Sequence, residues 1–361
     1  MKLIAAMSGG VDSAVAAARA TESGHDVIGV HLALSKNPKK YRSGARGCCT
    51  IEDTHDARRA ADRIGIPFYI WDMSDEFHEN VVENFLTEYA SGRTPNPCLR
   101  CNEKIKFAAV LDRAKAMGFD GVVTGHYAIT KESESGKLLY RAKDPLKDQS
   151  YVLAVLNREQ IKGAFFPLGD TKKDDVRKEA TRRGLTVANK PDSHDICFVP
   201  SGDNAGWLRD RLGSEVGPIV DETGEKLGEH KGAYTYTIGQ RRGLGITTPT
   251  PSGEPRYVLR IEPRSNTVVV GERESLAISQ ITGERVIWCG PSVGKEAMKG
   301  FVQVRAHGEA HPCTYYSVES ESGYSLISEL DQPIFGLATG QAMVIYDGDR
   351  VVGSATIAGT K

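Results

Sequence analysis

Six residues near the N-terminus, Ser8-Gly9-Gly10-Val11-Asp12-Ser13, have the types and spacing of an anion cradle. An apolar run, Leu3 to Met7, precedes them, and an alanine-rich run, Ala14 to Ala20, follows and is closed by Gly24. A strand, a Gly-Gly turn and a helix start place backbone N–H groups outward, where the helix dipole favours negative charge. Glycine suits such a turn because a Cβ would hold a phosphate away from the backbone. The loop lacks the lysine of G-x-x-x-x-G-K-[ST] and the spacing of G-x-G-x-x-G. It brings a carboxylate instead, Asp12, which suits a Mg²⁺ ion bridging pyrophosphate oxygens.

Three cysteines form a second group. Cys98 and Cys101 lie in Asn96-Pro97-Cys98-Leu99-Arg100-Cys101-Asn102, and Cys197 lies in Asp192-Ser193-His194-Asp195-Ile196-Cys197. Pro95 and Pro97 read as stops for a preceding helix and Lys104 as the start of the next. That puts Cys101 near a helix N-terminus, where thiolate is favoured. A buried thiol or half a zinc site are the plainer readings, but structural zinc takes four ligands. No second C-x-x-C exists, only the adjacent Cys48 and Cys49, which read as packing or incidental thiols.

The run SGGVDS after a first strand resembles the PP-loop of the ATP pyrophosphatase superfamily. That resemblance implies cleavage of ATP between the α- and β-phosphates, with AMP passed to an oxygen. Together with reactive thiols, it suggests replacement of a carbonyl oxygen by sulfur. A uracil oxygen leaves poorly, whereas an adenylated one leaves as AMP. A persulfide on one cysteine then attacks the activated carbon, and the second thiol clears the remaining sulfur as a transient disulfide.

The elements that must position these groups alternate in the first half of the chain. Strands are predicted at Leu3–Met7, Val27–Leu32, Phe68–Trp71 and Gly121–Thr124. Helices are predicted over Glu52–Ile64, Glu76–Tyr89, Lys104–Met117 and Lys173–Arg183. The expected result is a parallel sheet covered on both faces, with ligand beyond the strands' carboxyl ends. Thr124-Gly125-His126-Tyr127 leaves a strand at such an end and is expected beside the loop. His126 itself reads equally well as a packing histidine. Beyond about residue 200 Gly and Thr rise and short alternating runs flank turn signals, as at Tyr257–Ile261 with Thr267–Val270 and Ala342–Tyr346 with Arg350–Ala355. From about Ile278 an antiparallel barrel or sandwich is expected; residues 205–275 give no clear pattern.

The 361 residues carry a net charge of −1, so no global basic field points to nucleic acid, although a local stripe would suffice. Lys36 to Arg42, Arg177 to Arg183 and Gln240-Arg241-Arg242 are such clusters, each read first as a solvated face. No run approaches membrane-spanning length. Seven cysteines without a signal peptide point to a reducing, cytoplasmic setting.

SGGVDS, NPCLRCNEKIKF, TGHYA, KDQSYVL, DSHDICFV and YTIGQRRGLGI follow one another in this order. Together they are similar to the bacterial tRNA-specific 2-thiouridylases. The resemblance implies an α/β PP-loop domain of the adenine nucleotide alpha hydrolase type over 1–204, a small central domain over 205–275 and a C-terminal antiparallel β-barrel over 276–361. It implies 2-thiolation of the wobble uridine in tRNAs for Lys, Glu and Gln. By position, it gives ATP binding to Ala6, Met7, Ser8, Gly9, Gly10, Val11, Asp12, Ser13, Leu32 and Gly125. Cys101 takes the nucleophile's place and Cys197 the persulfide carrier's. Asn96, Pro97 and Cys98 meet the target base, while Lys147, Asp148, Gln149, His126, Gln341 and Arg305 contact tRNA. Ala306 and His307 depart from the aromatic and basic residues expected beside Arg305.

Some relatives have Asp where this chain has Cys98. Cys98, Cys101 and Cys197 thus offer three thiolates, enough for an iron–sulfur cluster with one open iron, as the alternative to a persulfide. The implied partners are tRNA and a cysteine desulfurase or sulfur-relay protein, and the implied state is a monomer. An amidating or ligating PP-loop enzyme, which has no need of Cys101 and Cys197, and a tRNA-binding or iron–sulfur protein without catalysis are the rival functions.

Overall fold

The structure, a computed structural model, describes residues 1–35, 50–192, 196–199, 202–248, 250, 252–320 and 323–361. Lys36 to Arg42, Cys48, Cys49 and Ser193 to Asp195 lie outside the described residues.

Four strands open the chain: β1 (Lys2–Ala6), β2 (Asp26–Ala33), β3 (Phe68–Asp72) and β4 (Gly121–Val123). A hairpin, β5 (Ile129–Ser133) and β6 (Gly136–Tyr140), then leaves the sheet, and β7 (Ala164–Phe165) returns to it. The parallel order is β3-β2-β1-β4-β7, so the strand that carries the glycine loop is central. Its unbroken apolar run follows from this, because a parallel strand buried on both faces has no polar side. Leu3, Ala5 and Met7 enter one core with the alanines of α1 (Val11–Glu22), and Ile4 enters the other with Trp71, Phe85 and Ile105. The strand order reverses beside β1, which opens a crevice at its carboxyl end.

The expected helix Lys104–Met117 begins earlier. Helix runs from Pro97–Cys101 through Asn102–Ala109, where the turns widen, to Val110–Ala116. Pro97 is a start, not a stop: proline suits the first helical position, where no N–H is needed. Asn96 caps it, its Oδ1 accepting from the Cys98 N–H at 3.0 Å. Cys98 is therefore the thiol of the first turn, and Cys101 lies a turn further in.

The central segment, illegible in sequence, is a four-stranded sheet of β8 (Gly217–Val220), β9 (Lys226–His230), β10 (Tyr257–Glu262) and β11 (Thr267–Gly271). Its order is β10-β11-β8-β9, and β8 and β11 are parallel neighbours far apart in sequence. The C-terminal strands are β12 (Ala277–Trp288), β13 (Met298–Gln303), β14 (Ala310–Ser320), β15 (Gly323–Phe335), β16 (Ala342–Asp347) and β17 (Arg350–Thr360). Antiparallel pairing runs β12-β15-β14-β13-β16-β17 and closes through β12–β17, making the expected barrel. Among the described residues no helix is long and apolar enough to cross a membrane.

The barrel is fused to the α/β region. β6 pairs with β17 at Tyr140 and Arg350. The Tyr151 hydroxyl donates to the Ala342 carbonyl at 2.8 Å, and the Ser354 hydroxyl to the Ala154 carbonyl at 2.7 Å. Tyr151 is 1% exposed, so Tyr151→Phe leaves a buried carbonyl short of its partner. It should lower unfolding stability by about 1–2 kcal/mol, read by urea denaturation.

Candidate functional site

At the end of β1 the backbone turns through Gly9 (φ +80°) and enters α1 at Gly10, which has no side-chain cap. The first N–H groups of α1 thus keep their capacity for an anion. Ser13 stiffens the turn: its Oγ donates to the Gly10 carbonyl at 3.0 Å and accepts from the Ser8 N–H at 3.2 Å. A Cβ on Gly9 would stand 2.2 Å from the Asp53 carbonyl oxygen at the start of α2 (Ile51–Ile64). One on Gly125 would stand 2.6 Å from both Asp12 C and Ser13 N. The segment leaving β4 therefore packs directly on the first turn of α1. Ala6 ends β1, and Leu32 is a buried member of β2 beside Trp71.

Asp12 is already engaged. Lys173 Nζ lies 2.7 and 2.6 Å from its two oxygens, and the Tyr127 hydroxyl donates to it at 2.7 Å. The Lys173 side chain, 8% exposed, also reaches Asp192 at 2.9 Å. Lys147 and Arg177 bind Asp192 as well, at 2.7 and 2.6 Å. Burial alone would raise the Asp192 pKa, but hydrogen bonds from Lys147 and Lys173 prevail and hold it far below the usual carboxylate range. Burial and then the charge of Asp12 push the Tyr127 phenol far up, so it stays a donor. On the other side of the loop, Lys190 Nζ donates to the Gly9 carbonyl at 2.9 Å and to Asp53 and Asp56 at 2.6 and 2.7 Å. A cleft of about 340 Å³ opens there, lined by Thr50, Asp53, Asp56, Asn189 and Lys190 among others.

Sequence reading put Tyr127 beside the loop but gave it no role, and it missed Lys173 and Lys190. Lysines on polar helix ends carry no local signal, and only the fold turns these inward. Both oxygens where Mg²⁺ was expected face Lys173. Among the described residues no three His, Cys, Asp or Glu side chains are grouped to hold a metal ion. That covers Cys98, Cys101 and Cys197 as an iron–sulfur ligand set.

Cys98 is exposed, Cys101 buried and Cys197 half-buried. Cys101 belongs to the apolar cluster that holds Ile4 and Leu32, and Cys197 packs against the same cluster. Phe198 anchors the latter segment, its ring 5.8, 5.3 and 5.3 Å from Phe77, Phe85 and Trp207. The two thiols thus border one face of the sheet whose central strand ends in the glycine loop.

The expected tRNA-contacting residues serve the chain itself in this state. Asp148 accepts from Ala142 N, Ser150 N and Ser150 Oγ at 2.9, 3.1 and 2.7 Å. Gln149 exchanges two bonds with Tyr127: its N–H donates at 2.9 Å and its Oε1 accepts at 3.0 Å. Lys147 is the partner of Asp192. His126 Nδ1 is 2.8 Å from Thr124 Oγ1, and its ring meets Phe107 and Phe166. Burial, helped by Lys106, pushes its pKa well down, so it is a neutral packing ring here. Arg305 is exposed on the barrel, with Nη2 donating to the Gly336 carbonyl at 2.6 Å. Gln341 reaches the strap before the cysteine helix. Of the basic clusters, Arg177 and Arg183 are paired inward, with Asp192 and with Glu22 and Glu179.

Comparison with known proteins decides the family. A protein from Nocardioides described as tRNA-specific 2-thiouridylase MnmA is 62% identical over 100% of this chain and 98% of its own. The chain belongs to the tRNA-specific 2-thiouridylase family. A relative of the same description from Thermobifida fusca is 62% identical over 100% of this chain and 96% of its own, and one from Cutibacterium acnes 58% identical over 100% and 97%. The families described as tRNA methyl transferase HUP domain, tRNA methyl transferase PRC-barrel domain and aminomethyltransferase beta-barrel domain match residues 1–201, 205–272 and 278–357. A solved 4-thiouridine synthetase–RNA complex with bound ATP aligns with 58% of this chain and 50% of its own at 15% identity and a TM-score of 0.35.

Gly9→Ala combines a left-handed φ with the contact on Asp53. It should weaken ATP binding by about tenfold or more, measured by titration calorimetry. Asp192 stabilises the fold above its unfolded pKa of about 4, and that contribution is lost as pH falls towards its depressed folded pKa. The stability gap between wild type and Asp192→Asn should be widest near neutral pH and narrow below about pH 4, checked by urea unfolding at both ends.

Proposed function

We propose that this chain catalyses ATP-dependent 2-thiolation of the wobble uridine of tRNA. The observation that carries the chemical part of this reading is the placement of Cys101 and Cys197 on one apolar cluster at the face of the sheet that ends in the glycine loop. The α1 N-terminus receives the phosphates of ATP, and Gly125 and Leu32 bound the nucleotide. The C2 oxygen of uridine attacks the α-phosphorus, pyrophosphate leaves, and the base is held as its AMP adduct. The terminal sulfur of a Cys197 persulfide then attacks C2 and AMP departs with the oxygen. Cys101 thiolate attacks the Cys197 sulfur, forming a Cys101–Cys197 disulfide and releasing 2-thiouridine. A thiol reductant restores the pair, and a cysteine desulfurase or relay protein reloads Cys197.

Lys173 is suited to the phosphate end of this site, being a buried cation already at the loop's carboxylate. Asn96, Pro97 and Cys98 face the base in this reading. His126, Lys147, Asp148, Gln149, Arg305 and Gln341 contact tRNA only after exchanging the internal partners described above. No step is routed through Mg²⁺ or an iron–sulfur cluster. The enzyme acts in this reading as a cytoplasmic monomer.

The test is a single-turnover reaction with iron-free protein, ATP, unmodified glutamate tRNA and a labelled persulfide donor, followed by mass analysis of the digested nucleosides. Labelled 2-thiouridine at the wobble position is expected. Cys101→Ala and Cys197→Ala should each reduce it by about 10³-fold or more while tRNA-dependent pyrophosphate release persists. Full thiolation by both variants would overturn the roles given to Cys101 and Cys197, and neither 2-thiouridine nor tRNA-dependent pyrophosphate release from the wild type would support an amidating or binding role instead.

A further inference from the structure

The strap that leads into the cysteine helix is gripped by the C-terminal barrel. The Thr94 N–H donates to the Thr339 carbonyl at 2.9 Å, and the Thr94 carbonyl accepts from Gln341 Nε2 at 2.7 Å. Gly340 lies between these two contacts at φ +86°. A Cβ there would stand 2.9 Å from Arg93 Cβ and 3.1 Å from Thr94 N, so the loop meets the strap at a distance that glycine permits. Arg93 adds a second tie, pairing with Glu88 at 2.7 Å and with Glu284 of β12 at 3.6 Å. Between Thr94 and the helix stand Pro95 and the cap Asn96, and Pro97 is the first helical residue. Each proline fixes its own φ and restricts the residue before it, which leaves this link few soft torsions. A backbone held at Thr94 is therefore held at the Asn96 cap, and through it at Cys98 and Cys101.

We propose that the Thr339–Gln341 loop is a positioning element that sets the cysteine helix, with Gln341 as the residue whose amide fixes the strap. This rests on the proposed function for its activity readout alone. The barrel then does more than offer a surface to RNA, because the placement of thiols carried by the α/β region depends on it.

The test uses the full chain with Gln341→Met, which keeps the side chain's length and removes its donor. Hydrogen exchange of residues 93–101 in the free protein should quicken by about tenfold, confined to that stretch. The single-turnover rate at saturating tRNA and ATP should fall by about the same factor, whatever the variant does to the tRNA Kd. A weakened tRNA Kd with unchanged exchange and an unchanged saturating rate would make Gln341 a tRNA contact only and overturn the proposal. Protection lost across the whole chain would mark a general stabilising role and overturn it as well. Gln341→Glu, whose carboxylate cannot donate to a carbonyl, supplies the same comparison should the methionine variant not fold. If wild type itself thiolates no tRNA, the functional reading fails, and the exchange data alone decide the positioning role.

Discussion

A single ammonium group, that of Lys173, lies between the carboxylates of Asp12 and Asp192, almost out of contact with water. Removing a charge from water is unfavourable unless it is paired and hydrogen-bonded, and here both conditions are met twice over. The arrangement ties the first turn of α1 to the helix Lys173–Arg182 and to the segment ahead of Cys197. Tyr127 and Gln149 extend it to the end of β4, and Lys147 and Arg177 complete the shell around Asp192. The glycine loop is therefore held by charges from distant parts of the chain as well as by its own turn geometry.

The thiols are placed by different means. Cys101 and Cys197 are set by apolar packing on one face of the sheet, with Phe198 locked among Phe77, Phe85 and Trp207. Packing at close-packed density leaves side chains little room to wander, so a cluster of this kind fixes position as firmly as a hydrogen bond. Cys98 differs: it is exposed at the head of a helix capped by Asn96 and entered by a strap that the barrel holds at Thr94. Nucleotide loop, thiols and barrel thus form one structure instead of three modules joined by linkers.

Much of this was legible from residue types. An unbroken apolar run ahead of Gly9-Gly10 reads as a strand covered on both faces, and β1 is that strand. The alternation in the first half and the hairpin signals near the C-terminus carried the α/β sheet and the barrel into view. The central sheet was not legible, because β8 pairs with β11 across some fifty residues of chain and no local period records such a partner. Pro97 was misread because a proline ahead of a helix and a proline ending one look alike without their neighbours' backbone angles.

Local structure is carried by local sequence: the glycines that permit a tight loop and the apolar run that leads into it act through their own atoms and near neighbours. These were settled by the order of residues alone, as was membership of a recognisable family through its long motifs. Which lysine meets Asp12, which carbonyl Gln341 holds, and whether Asp148 and Gln149 face solvent or their own chain were decided by folding. Each such contact joins residues far apart in sequence, at a distance set by how sheets, helices and barrel pack. No property of either residue taken singly encodes that distance.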